Sequence, residues 1–177
     1  RPRARAACVP GLRGFGSRVR LKRQLAGSEQ KAGKSNYSPE TAIFSKRRGI
    51  DGLDKAKRPI LNAKSVIVCE GQLDIIACHL ADIENTVAPQ GTALTVDHAR
   101  ILKRYAEEVV LCFDSDTAGQ HAALRSLDDL LASGLAIRVA VIPQPHDPDS
   151  FIRENGADAF RQLLAGAPGF FDFLLDY

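Results

Sequence analysis

Glu108-Val-Val-Leu-Cys-Phe-Asp114-Ser-Asp116 is the stretch on which the fold turns. The apolar run Val109 to Phe113 includes a β-branched pair and stops on an aspartate, as expected for a buried strand and the loop at its carboxyl end. Asp116 to Ala132 then reads as a helix, with Ala122, Leu124, Leu127, Leu130 and Leu131 as its apolar stripe and Gly134 as its stop. Ile137 to Ile142 is a second strand. Working back from Glu108, Thr95 caps a helix reaching about Tyr105, and Thr86-Val-Ala88 is a short strand followed by Pro89-Gln-Gly-Thr92. Before these lie a helical stretch from Gln72 to Ala81 and the β-branched strand Ser65-Val-Ile-Val-Cys69. Strands alternating with helices over residues 65–142 predict an α/β layer with a mostly parallel sheet.

The flanks are less regular. Gly14-Phe-Gly-Ser-Arg18-Val-Arg20 reads as a strand with glycine kinks, and residues 21–36 as a loop. Ser38-Pro39-Glu40-Thr41 is a helix start. Gly52 to Arg58 is a short helix, expected to stop at Pro59. Short helices are expected from about Asp149 to Tyr177.

Of 177 residues, 45% are hydrophobic and 25% charged, as in an ordinary globular chain, and no apolar run approaches a membrane span. The chain contains no methionine, even at position 1, and reads as a piece of a longer protein. The net charge of +3 hides an asymmetry. Residues 1–60 hold 16 Lys/Arg against 4 Asp/Glu, a balance of +12, whereas residues 61–177 hold 8 against 17, a balance of −9. This pattern suits a basic surface for a polyanion beside an acidic region for cations, or equally a basic arm beside an ordinary acidic domain. Cys8, Cys69, Cys78 and Cys112 form no Cys-x-x-Cys pair and read as small buried hydrophobes rather than zinc ligands.

Three acidic features follow strands. Glu70 ends the first, Asp114 and Asp116 the long one, Asp147 and Asp149 the last. Parallel strands bring such loops to one edge, where open α/β sheets bind ligands. Carboxylates gathered there repel one another unless a cation joins them, and hard oxygen donors favour Mg2+ or Mn2+, which complete their shells with phosphate oxygens. Any one pair alone also fits a helix cap; Asp116 in particular suits an N-cap role.

The residues around these carboxylates carry a resemblance. Val66-Ile-Val-Cys-Glu70-Gly71-Gln-Leu-Asp74 is similar to the Glu-Gly-x-x-Asp motif of Toprim domains. Phe113-Asp114-Ser-Asp116-Thr-Ala-Gly119 resembles their Asp-x-Asp motif in the form found in bacterial DnaG-type primases. His146-Asp147-Pro-Asp149 resembles the Asp-Pro-Asp segment of those primases, and Ala88-Pro-Gln-Gly91-Thr92 their Gly-Thr loop. Upstream, Gly14-Phe-Gly-Ser-Arg18 and Lys34-Ser-Asn-Tyr37-Ser-Pro-Glu-Thr41-Ala-Ile-Phe44-Ser-Lys46 resemble two further core segments. The likeness covers roughly residues 14–160. Two departures stand out: Ser35-Asn36-Tyr37 is rearranged, and Gln72 occupies a position where the family usually carries Tyr.

The resemblance implies a Toprim-type, Rossmann-like layer preceded by part of a basic α+β subdomain. The divisions would be 1–60 (basic subdomain), 61–145 (Toprim) and 146–177 (acidic loop and trailing helices). It implies metal-dependent synthesis of short RNA primers on single-stranded DNA in the cytoplasm, from ribonucleoside triphosphates. Other implied partners are the RNA primer and a replicative helicase that docks on a domain outside this chain; no membrane is involved. Glu70, Asp114, Asp116, Asp147 and Asp149 would hold Mg2+ or Mn2+, with Glu70 alternatively an acid or base, and zinc would belong to an amino-terminal domain outside this chain. Asp74 would support the ligands or cap a helix. Arg18, Lys34 and Lys46 would neutralise template and nucleotide, and Thr92 would contact phosphate or shape a turn. Another Toprim nuclease or topoisomerase, or a non-catalytic nucleic-acid-binding module, shares part of this pattern.

Overall fold

The computed structural model describes residues 45, 47–90, 94–114 and 130–175, with Asp114 described for its backbone. The expected strand at 14–20, the helix start at 38–41, and all of the 116–132 helix except its last turn lie outside these residues, as do Cys8, Arg18, Lys34, Lys46, Thr92 and Asp116.

The described elements are β1 (Ile50–Asp51), α1 (Leu53–Ala63), β2 (Ser65–Val68), α2 (Gln72–Leu80), β3 (Thr86–Pro89) and α3 (Val96–Leu102). Next come β4 (Glu108–Asp114), β5 (Ala136–Ile142), α4 (Pro148–Ala165) and α5 (Phe170–Leu175). The sheet order is β1-β3-β2-β4-β5. The pairs β2–β3, β2–β4 and β4–β5 are parallel, and only the edge strand β1 runs antiparallel, with Asp51 opposite Ala88.

Alternation along the strands explains why they are apolar throughout. Val66, Val68, Val109, Leu111, Phe113, Ile137 and Val139 face one core, together with Ala56 and Ile60 of α1 and Ala99 and Leu102 of α3. Ile67, Cys69, Val110, Cys112, Ala140 and Ile142 face the other, against Cys78 of α2 and Phe160 and Leu164 of α4. A sheet buried on both faces has no polar row to alternate with, which is the parallel α/β arrangement. The three described cysteines are buried and unbonded, as the sequence predicts.

Most elements fall within a residue or two of the sequence reading. Thr95 does cap α3, its hydroxyl accepting from the His98 amide at 3.3 Å, and Gly134 adopts φ 72° after the helical turn at 130–132. One difference is informative. The α1 helix passes through Pro59 to Ala63 instead of stopping there. A mid-helix proline costs about 3 kcal/mol, but Ala56 and Ile60 on either side are fully buried. Burying one Ile side chain contributes roughly 1.5–3 kcal/mol, so the core holds the helix together across the break. The trailing part is short helices as expected: 148–155 and 157–165 of α4, separated at Gly156 with φ 86° and ψ 162°, and then α5.

Candidate functional site

The connectivity picks out one place on the sheet. From β2 the chain runs through α2 to β3 on one side, and from β3 it returns through α3 to β4 on the other side of β2. Strand order therefore reverses between β2 and β4. In open α/β sheets the carboxyl ends of such a pair form the ligand-binding crevice. Glu70 lies two residues beyond the end of β2, and Asp114 is the last residue of β4. Since Val68 pairs with Leu111, both carboxylate-bearing positions fall at the same edge on neighbouring strands.

Local chemistry shapes the Glu70 turn. Glu70 is exposed, and the next amide, Gly71 N–H, donates to Asp74 Oδ2 at 3.0 Å. Asp74, buried at the third position of α2, thus closes the helix start onto the residue following Glu70. A Cβ at position 71 would stand 3.0 Å from that same oxygen, so glycine permits the close approach. Between the two roles expected for Asp74, the geometry displays the cap, and the cap itself braces the turn that carries Glu70.

The third acidic feature sits beyond the end of β5. Asp147 is the N-cap of α4, with Pro148 as the first helical residue. Its Oδ1 accepts from the Ser150 amide at 2.7 Å and from the Ser150 hydroxyl at 2.6 Å. These bonds, side chain first, hold the Asp147 carboxyl below the ordinary carboxylate range. Both bonds fall on Oδ1. Asp149 instead accepts at Oδ2 from the Arg153 guanidinium one turn along α4. Among the described residues no three His, Cys, Asp or Glu side chains are grouped to hold a metal ion. The described part therefore places Glu70 and Asp114 at the switch point and engages Asp147 and Asp149 with α4. All the carboxylates named are hard oxygen donors, a set that fits Mg2+ or Mn2+ and does not fit a soft metal.

Comparison with known proteins agrees with this architecture. Residues 67–152 match the Toprim-like family. DNA primase of Clostridium acetobutylicum is 44% identical over 139 residues, covering 78% of this chain and 23% of that protein. The crystal structure of the Aquifex aeolicus primase, with its zinc-binding and RNA polymerase domains, superposes with a TM-score of 0.77 at 33% identity, over 84% of this chain and 37% of that one. A DnaG primase catalytic domain bound to single-stranded DNA superposes with a TM-score of 0.76 at 33% identity, over 84% of this chain and 49% of that one. This chain belongs to the bacterial DnaG-type primases. It spans about a quarter of the length of the curated primases it matches, such as 23% and 28% of those from C. acetobutylicum and Legionella pneumophila.

Within this primase sheet, one group escapes a reading of the sequence. Asp51 at the end of β1 is buried and accepts hydrogen bonds from Gln72 Nε2, at 2.6 Å, and from Gln90 Nε2. An aspartate after a two-residue strand resembles any turn aspartate. The available signals are the glycines at 49 and 52 and the departure from Tyr at Gln72.

Proposed function

We propose that this chain is the Toprim-bearing part of a primase RNA polymerase core that synthesises short RNA primers on single-stranded DNA. The observation that carries this reading is the pair Glu70 and Asp114 at the carboxyl ends of β2 and β4, flanking the switch point of a sheet shared with DnaG catalytic cores. The reaction is nucleotidyl transfer: a primer 3′-hydroxyl attacks a ribonucleoside triphosphate, forming a phosphodiester bond and releasing pyrophosphate. Bound Mg2+ or Mn2+ supplies neutralisation of phosphate charge and a lowered hydroxyl pKa.

Glu70, Asp114 and Asp116 hold the cations, with acid or base work in the transfer as the alternative role for Glu70. Asp147 and Asp149 complete the acidic edge, Asp149 after release from Arg153. Asp74 keeps the Glu70 turn in place through Gly71. Arg18, Lys34 and Lys46 neutralise template and triphosphate without reading sequence, and Thr92 contacts phosphate. The helicase partner, and zinc, belong to regions of the longer primase outside this chain, and the setting is the cytoplasm. No described helix is long and apolar enough to cross a membrane.

The test is primer synthesis on single-stranded DNA by the full-length parent with Mg2+ or Mn2+. Asp114→Asn and Asp116→Asn should each lower synthesis by at least about 100-fold, the scale of a lost catalytic electrostatic group, with template binding retained. Wild-type rates in both variants would overturn the reading.

A further inference from the structure

Asp51, Gln72 and Gln90 form a polar cluster that the chemistry above leaves without a task. Asp51 is 6% exposed and Gln90 8%. One carboxylate receives both amides: Oδ2 from Gln72 and Oδ1 from Gln90. Gln72 comes from the segment after β2, which borders the switch point, and Gln90 from the segment after β3, one strand further out. Gln72 opens α2, two residues after Glu70, and Gln90 directly follows β3, where the chain leaves for the Gly-Thr segment.

The backbone around Asp51 is shaped for this contact. A Cβ at position 49 would stand 2.6 Å from Gln90 Oε1, so a larger residue there would displace the end of the Gln90 side chain. Gly52 adopts φ 80°, and a Cβ there would stand 3.1 Å from Ile75 Cγ2 and 3.3 Å from the Thr86 carbonyl oxygen. The Gln90 amide also donates to the Gly49 carbonyl at 3.3 Å. A carboxylate at this depth is expensive to desolvate, and two neutral amide donors offset only part of that cost. An apolar side chain would fill the edge of the sheet with less penalty but could not tie the two segments together.

We propose that Asp51 is a positioning residue for Glu70: by holding Gln72 and Gln90 on one carboxylate, it sets the Glu70–Gly71 turn against the end of β3 and so fixes the reach of Glu70 toward the end of β4. This rests on the reading of Glu70 as a metal-holding group, and the test separates the two. Mn2+ affinity is measured by electron paramagnetic resonance on the wild-type chain, Glu70→Gln, Asp51→Asn, Gln72→Glu, and the double variant Asp51→Asn/Gln72→Glu. Hydrogen exchange at the Gly71 amide and the thermal midpoint are followed in parallel.

Asp51→Asn should weaken Mn2+ binding about 10-fold, the lower end of the range for groups that orient ligands, and speed exchange at Gly71. Gln72→Glu sets two carboxylates against each other and should weaken binding likewise. In the double variant the donor and acceptor exchange places. The side-chain amide introduced at position 51 donates through its nitrogen to the carboxylate introduced at position 72, while its oxygen still accepts from Gln90. Affinity and exchange protection should then return toward wild type. Should Asp51→Asn fail to fold, Gln72→Ala carries the same expectation of weakened Mn2+ binding. Wild-type affinity in Asp51→Asn, whatever its thermal midpoint, or no recovery in the double variant, overturns the proposal. If Glu70→Gln itself binds Mn2+ as the wild type does, the metal reading of Glu70 falls and takes the proposal with it.

Discussion

Asp147 caps α4 and is proposed as a cation ligand, and substitution can separate the two roles. As the N-cap of α4 it satisfies the Ser150 amide, a contact whose loss to alanine costs about 1 kcal/mol. Its folded-state pKa lies below the unfolded one because Ser150 bonds favour the charged form. The stabilisation is therefore fully present above the unfolded-state pKa and is lost as pH falls through the folded-state value. Urea unfolding should show Asp147→Ala less stable than wild type at neutral pH, with the gap closing in acid. Asp147→Asn keeps a capping acceptor and should stay within a few tenths of a kcal/mol at neutral pH. If Asp147 also ligates the cation, Asp147→Asn will weaken Mn2+ binding while leaving that stability unchanged. Gly71 offers a second test at this scale. Gly71→Ala would push a methyl group against Asp74 Oδ2 and should destabilise by about 1 kcal/mol, the size of a disturbed hydrogen bond. Differential scanning calorimetry reads that loss.

At the scale of elements, α1 shows where local rules yield to the core. Pro59 reads as a stop because it removes a donor and crowds the preceding turn. What keeps the helix running is the sheet beneath it, which the local sequence does not describe: Ala56 and Ile60 are fully buried against β2 and β3. Pro59→Ala should therefore stabilise the chain, by up to about 3 kcal/mol if the missing bond to the Lys55 carbonyl forms, as a raised urea midpoint. The strands are legible for the opposite reason. Val109 to Phe113 has no polar alternation because both faces are covered, and its short β-branched run with an aspartate at its end distinguishes strand from helix. The caps at Thr95 and Gly134 are legible because each depends only on neighbouring residues. Asp147-Pro-Asp149-Ser150 has the same capping pattern, and its acidic residues fit either a cap or a metal ligand until the helix that follows is in view. Asp51 is not legible, since its partners lie 21 and 39 residues away and meet it only when β1 pairs with β3.

Over the whole molecule the charge asymmetry and the sheet topology describe one division of labour. The balance of −9 over residues 61–177 includes Glu70, Asp114, Asp116, Asp147 and Asp149, and the balance of +12 over residues 1–60 includes Arg18, Lys34 and Lys46. Like charges repel within each region, and the proposed partners, cations at one and a polyanion at the other, would offset that repulsion. Such a split makes the two halves respond differently to solution conditions. Single-stranded nucleic acid releases counterions when basic side chains contact its phosphates, at about 0.7 per contact. Replacing Lys34 and Lys46 with Gln should therefore lower the slope of log affinity for single-stranded DNA against log salt by roughly 1.4, with Mn2+ affinity unchanged. Fluorescence anisotropy over a salt series checks the slope. An unchanged slope would place these lysines outside the template path. Asp114→Asn should show the complementary pattern, losing Mn2+ affinity while the salt slope holds, if the carboxyl edge meets the substrate through cations and the basic region meets the template directly, as proposed.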